Sequence, residues 1–189
     1  MAAQVFIHNK VFVPFISAEA IGQRIAEIGA KINENYAGKS PLLIGILNGS
    51  FIFAADLFRE LTIDAEISFV KLASYAGTAT TGQVVTAIGL KENIEGRHVI
   101  IVEDIIDTGK TLSSFLPELH KMRPASVKIA TLLTKPDALK YPVAADYCAF
   151  EIENKFVVGY GLDYDGLGRN LPALFILKDR NDDKINATI

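Results

Sequence analysis

Three carboxylates and a small polar turn crowd into the segment Arg97 to Leu112, RHVIIVEDIIDTGKTL. Glu103 and Asp104 are adjacent, Asp107 follows after two apolar residues, and Thr108-Gly109-Lys110-Thr111 comes directly behind. Such a turn at a helix start offers an anion backbone N–H groups, hydroxyls and the positive end of the helix dipole. Acids beside a phosphate cradle repel phosphate, so they must serve something else: a metal ion, sugar hydroxyls or a proton in transit. The combination points to a phosphorylated sugar as ligand.

Two other chemistries fail on spacing. A triphosphate loop, G-x-x-x-x-G-K-[ST], needs glycine five residues before Gly109, and that position is Asp104. His8, His98, His120 and Cys148 have neither metal-ligand nor nucleophile–base spacing and read as structural.

The elements around the turn follow from pattern. Val99 to Val102 is a short apolar run bounded by charge, as in a buried parallel strand. Ser17 reads as an N-cap, with Glu19 in the first turn and Ile21, Ile25, Ile28 and Ile32 at helical spacing up to about Asn35–Gly38. Leu42 to Leu47 is a strand ended by Asn48-Gly49-Ser50, Phe51 to Leu61 a helix, and Ala65 to Leu72 a strand. Residues Ala73 to Gln83 lack large aliphatics and carry glycines and hydroxyls, which predicts a functional or moving loop before a strand over Val84 to Leu90. A helix over about Thr111 to Met122 contains Pro117, predicting a kink or break. Val127 to Leu133 is a strand, Lys135 to Pro142 a loop, and Asp146 to Ile152, Phe156 to Tyr160 and Leu174 to Lys178 are short strands before a polar, frayed tail from Asp179.

Strand–helix alternation predicts an α/β fold with a mostly parallel, twisted sheet flanked by helices. Ligands of such sheets bind at the carboxyl ends of the strands, which sets three turns side by side: Asn48–Ser50, Glu103–Thr111 and the turn bearing Lys135. A chain of 189 residues, half of them hydrophobic, suits one domain. A single cysteine fits a reducing cytoplasm, and the N-terminus has no signal-peptide pattern. No apolar run reaches membrane-spanning length, and a net charge of −3 argues against nucleic acid as the partner.

The string VIIVEDIIDTGKTL resembles the phosphoribosyl-pyrophosphate signature of type I phosphoribosyltransferases, and further segments resemble their hypoxanthine-guanine branch. These are LNGS at Leu47–Ser50, SYAGTATTG at Ser74–Gly82, Lys135, and FVVGYGLDYDGLGRNLP from Phe156, so that the likeness spans roughly residues 11–177. It implies a single domain over 1–189 with a small hood from about 1–16 and 150–189. It also implies transfer of a 5-phosphoribosyl group to a 6-oxopurine with Mg²⁺, in a homodimer or homotetramer.

The same resemblance distributes roles. Glu103 and Asp104 hold the ribose hydroxyls, directly or through Mg²⁺, and Asp107 takes or shares a proton at purine N7; its residue type, apart from the resemblance, suits the cap of the following helix, and the two jobs are compatible. Thr108, Gly109, Lys110 and Thr111 bind the 5′-phosphate. Asn48, Gly49, Ser50 and Arg169 meet the pyrophosphate, with Asn48 standing where the family often has Lys. Ser74 and Tyr75 belong to a loop that closes over the site. Lys135 contacts O6 of the purine, Phe156 stacks on the ring, and Val157 offers backbone groups. Asp163 contacts Mg²⁺ near the 2-position. A xanthine preference and an RNA-binding regulatory relative are the rival readings.

Overall fold

The computed structural model describes residues 4–74 and 84–178. Its order is β1 (Val5–Ile7), β2 (Lys10–Ile16), α1 (Ala18–Asn35), β3 (Leu42–Leu47), α2 (Phe51–Arg59), β4 (Glu66–Ser74), β5 (Val84–Ile88), β6 (His98–Ile106), α3 (Lys110–Lys121), β7 (Ser126–Thr134), β8 (Tyr147–Glu151), β9 (Val157–Val158) and β10 (Leu174–Leu177). The central sheet runs β5-β4-β3-β6-β7-β8. Every neighbour pair in it is parallel except β4–β5. This is the mostly parallel sheet flanked by helices that the strand–helix alternation predicts.

The apolar runs become strands because both faces are covered. Leu43, Ile100 and Val102 pack beneath α1 and α2, whereas Leu42, Ile44, Val99 and Ile101 pack beneath α3. Ser17 caps α1 as expected, its hydroxyl accepting from the Ala20 N–H at 3.2 Å. Gly45 admits the Phe69 ring against β3, since a Cβ there would lie 2.7 Å from it. Because β3, β6 and β7 are neighbours, the turns at their carboxyl ends meet at one rim.

A second, antiparallel sheet, β1-β2-β10-β9, forms the hood from both ends of the described chain. Phe12, Val158 and Ile7 make its small core. Two strand readings shrink: the candidate at 156–160 is only β9, because Gly159, Tyr160 and Gly161 all take positive φ, and β5 ends at Ile88.

The expected break at Pro117 is absent; α3 runs through it. Leu112, Phe115 and Leu119 are buried on either side of the proline, which itself faces solvent. Burying three such side chains contributes about 5–9 kcal/mol, more than the roughly 3 kcal/mol an internal proline costs. Tyr75 and the rest of the loop at 75–83, like the tail from Asp179, lie outside the described residues.

Candidate active site

β6 carries its two adjacent acids to the lining of one hollow at its carboxyl end. Glu103 is buried, 8% exposed, and its Oε2 has no hydrogen-bond partner among the described residues. Burial, reinforced by the charge of Asp104, raises its pKa well above the usual carboxylate value. Asp104 is pushed up to about 6, chiefly by burial, against the pull of the Ile105 N–H at 2.9 Å and of Arg169. Gly49 lies directly on this carboxylate: a Cβ there would sit 1.5 Å from Asp104 Oδ2. Glycine is required at that position because no side chain fits between turn and acid.

Residues 103–112 then wrap a hollow of about 230 Å³. Gly109, with φ of 79°, is the N-cap of α3. Asp107 therefore is not the cap, and that half of the sequence reading is corrected. Its carboxylate turns elsewhere, to Lys135 Nζ at 3.2 Å. The first-turn N–H groups of α3 have no intrahelical acceptors and edge the hollow, together with the Thr108 and Thr111 residues. The Thr108 hydroxyl accepts from the Lys110 N–H at 3.3 Å, and the Lys110 side chain lies at the exposed surface.

The loop after β7 is fastened to this turn. Lys135 N–H donates to the Ile106 carbonyl at 2.9 Å, and the Lys140 and Tyr141 N–H groups both donate to the Thr108 carbonyl, at 3.0 and 3.1 Å. Lys135 is only 7% exposed, unlike the solvated lysine its position after a strand would suggest. Among the described residues it forms an ion pair with Asp107.

On the other side, the hood brings Phe156, 42% exposed, to the surface. Tyr164 meets its ring edge-on at 5.7 Å, and Lys10 Nζ lies 4.2 Å from the Tyr164 centroid and 5.3 Å from that of Phe156. The Phe156 carbonyl accepts from Leu177 N–H at 2.9 Å, so alternation on this edge strand turns the backbone groups of Val157 away from β10. Its side chain is buried.

Arg169 donates from Nη1 to the Gly161 carbonyl at 2.5 Å and from Nη2 to Asp163 Oδ1 at 2.6 Å. Asp163 Oδ2 also accepts the Gly166 N–H at 2.7 Å. Both oxygens of Asp163 are thus engaged, leaving it less free for a cation than Glu103. Ser50 turns inward, its hydroxyl donating to the Ile46 carbonyl at 2.6 Å, while Asn48 stays exposed and the Leu47–Asn48 peptide bond is cis. Ser74 closes β4 opposite Val84, at the mouth of the undescribed loop. A larger hollow, about 550 Å³, opens away from these acids between α1, α2 and Asn170–Pro172.

Residues 16–165 match the phosphoribosyl transferase domain. The chain belongs to the phosphoribosyl transferase family. Its relatives agree: it is 42% identical over 174 residues to the hypoxanthine-guanine phosphoribosyltransferase of Streptococcus pneumoniae, covering 92% of this chain and 97% of that one. It is 44% identical over 160 residues to the hypoxanthine-guanine-xanthine phosphoribosyltransferase of Tritrichomonas foetus, covering 84% and 87%. Among solved structures, the hypoxanthine phosphoribosyltransferase of Staphylococcus aureus superposes with a TM-score of 0.85 at 40% identity, covering 90% and 94%. The protein is therefore a phosphoribosyltransferase enzyme.

The residues fit a divalent cation of the kind these enzymes use. No cluster of three or more ligating side chains occurs among the described residues. An ion held by one or two carboxylates plus substrate oxygens needs no such cage. The unpartnered Oε2 of Glu103 and the raised pKa of Asp104 are what acids awaiting a positive charge or a hydroxyl would show.

A stability prediction follows. An acid whose folded pKa is raised binds its proton more tightly folded than unfolded, so ionising it costs stability. For Asp104 that cost is absent below about pH 4, grows towards pH 6 and is complete above it. Asp104→Asn is expected to raise the Tm of the ligand-free phosphoribosyltransferase by roughly 3 °C at pH 7.5, and the gain should vanish at pH 4 in thermal melts. A gain independent of pH contradicts the burial argument.

Sequence reasoning missed Lys10 and Tyr164. The signal was present in two turns. His8-Asn9 joins β1 to β2, and Asp165-Gly166 joins the bridged pair Tyr164 and Leu167. Asp-Gly is a strong hairpin signal, overlooked because the flanking strands are so short.

Proposed function

We propose that the chain moves the 5-phosphoribosyl group of phosphoribosyl pyrophosphate onto a 6-oxopurine, hypoxanthine or guanine, releasing pyrophosphate and supplying purine salvage with IMP or GMP. The observation that carries this reading is the Asp107–Lys135 pair at 3.2 Å, with Asp107 on the lining of the hollow at 103–112. It puts a proton acceptor beside a buried cation, the two groups a purine with a mobile ring proton and an exocyclic oxygen requires.

The C1–oxygen bond to pyrophosphate breaks as the bond to a purine nitrogen forms, and positive charge accumulates on the ribose. The chain's contribution is positional and electrostatic. The turn 108–111 grips the 5′-phosphate, Glu103 and Asp104 face the ribose hydroxyls, and Asp107 accepts the purine proton. Lys135 donates to O6, Phe156 stacks on the base, and Val157 offers its N–H and C=O to the purine edge. Gly49 and the Arg169 guanidinium receive the pyrophosphate, where Asn48 supplies no positive charge. Glu103 and Asp104, with Asp163 as the third acid, would hold a Mg²⁺ ion, which would supply charge neutralisation for the leaving group when bound. Ser74 and Tyr75 close over the site and exclude water.

The relatives with hypoxanthine and guanine in their names support the base class, and the Tritrichomonas relative keeps xanthine as the second reading. No helix among the described residues is long and apolar enough to cross a membrane. A cytoplasmic homodimer or homotetramer completes the proposal. Spectrophotometric assay of hypoxanthine, guanine, xanthine and adenine with phosphoribosyl pyrophosphate and Mg²⁺ tests it. Turnover of the first two is expected; turnover of adenine alone overturns the base assignment.

A further inference from the structure

We propose that Tyr160 and Asp56 are positioning residues for the pyrophosphate end of the site, a role that rests on the reading above. The Tyr160 hydroxyl donates to Asp56 Oδ2, and Tyr160 is 7% exposed. Burial and the neighbouring carboxylate raise the phenol pKa far above its ordinary value, so the proton stays on Tyr160. Asp56 lies on α2, the helix that starts at Phe51 directly behind Asn48-Gly49-Ser50.

Tyr160 stands between two glycines that hold the hood turn against two backbones. A Cβ on Gly159 would lie 2.0 Å from the Ala173 carbonyl oxygen, and one on Gly161 would lie 2.1 Å from the Gly49 carbonyl oxygen. Tyr160 itself has φ of 48°, a region a bulky residue enters only when its surroundings compel it. Its N–H donates to the Leu171 carbonyl at 2.8 Å, so backbone and side chain are both pinned. The next residue, Gly161, receives the Arg169 guanidinium on its carbonyl and donates its N–H to the Arg169 carbonyl at 2.9 Å.

The pair therefore fixes the distance between two bodies that must meet on one ligand. The first is Gly49 with the Asp104 carboxylate against it; the second is Gly161 with Arg169 and Asp163. Neither Tyr160 nor Asp56 lines the hollow at 103–112; both border the separate hollow behind α2. Their influence passes through the Gly161–Gly49 contact.

Steady-state kinetics on the full chain, run from nucleotide and pyrophosphate with Mg²⁺, tests this. Tyr160→Phe removes one oxygen and is expected to raise the KM for pyrophosphate about fivefold, the worth of one such hydrogen bond. The KM for the purine in the forward direction should move less than about twofold. Asp56→Ala should match it, the double variant should be no worse than either single, and Asp56→Asn, whose amide oxygen still accepts, should restore the wild-type value. Equal shifts for purine and pyrophosphate, or none, overturn the inference and leave the pair a structural staple. Should Asp56→Ala fail to fold, Tyr160→Phe and Asp56→Asn carry the test. Arg169→Ala separates the two levels: lost pyrophosphate affinity there without loss in Tyr160→Phe sinks this inference alone, whereas no loss in Arg169→Ala sinks the site reading beneath it.

Discussion

Replacing Asp107 with Asn is expected to lower kcat roughly 100-fold or more while leaving the affinity for phosphoribosyl pyrophosphate within about twofold. The amide keeps the size of the carboxylate and still offers an oxygen to Lys135, so the 3.2 Å contact has a substitute. What it loses is the capacity to take a proton, which matters only as the purine nitrogen becomes bonded to ribose. The corrected capping assignment sharpens the experiment. Because Gly109 caps α3, the substitution leaves the helix start and its anion-facing N–H groups alone. Turnover and isothermal titration with the phosphoribosyl donor check it together. A kcat unchanged by the substitution would reduce Asp107 to an anchor for Lys135.

The second large effect belongs to Lys135. Lys135→Met keeps a long flexible stem in a buried position and removes the charge. A hydrogen bond from a charged donor contributes about 1.5–3 kcal/mol, so kcat/KM for the 6-oxopurine should fall roughly 10- to 150-fold. Affinity for the phosphoribosyl donor should change far less, because the backbone N–H of residue 135, which ties the loop to Ile106, survives the substitution. The preference for oxygen over an amino group at the purine 6-position should shrink with it. Equal losses for base and donor, measured by varying each at saturation of the other, would contradict the assignment.

How far the sequence revealed this site differs from residue to residue, and the differences have causes. β3, β6 and β7 were legible because burial on both faces writes itself as an unbroken apolar run. From pattern alone, the carboxyl-end rule puts Gly49, Glu103 and Lys135 at one rim. The hood was legible only as two terminal segments. Its strands run from two to seven residues and pair across the length of the chain, so periodicity had little to work on. Pro117 misled for the opposite reason: a local rule spoke clearly, and the packing of Phe115 and Leu119 overruled it. The Asp56–Tyr160 contact spans 104 residues of sequence. A tyrosine between glycines and an aspartate in an amphipathic helix give no hint of each other in one sequence.

The fastening of Lys140 and Tyr141 onto the Thr108 carbonyl bears on how this enzyme can be altered. The stretch from Pro136 to Pro142 is surface chain between two strands, the sort of place where an engineer would splice a reporter or a peptide tag. Here the same stretch is the strut that ties the turn at 108–111 to the loop carrying Lys135. An insertion there should spare the central sheet and disable its work, so grafts are better sent elsewhere on the surface.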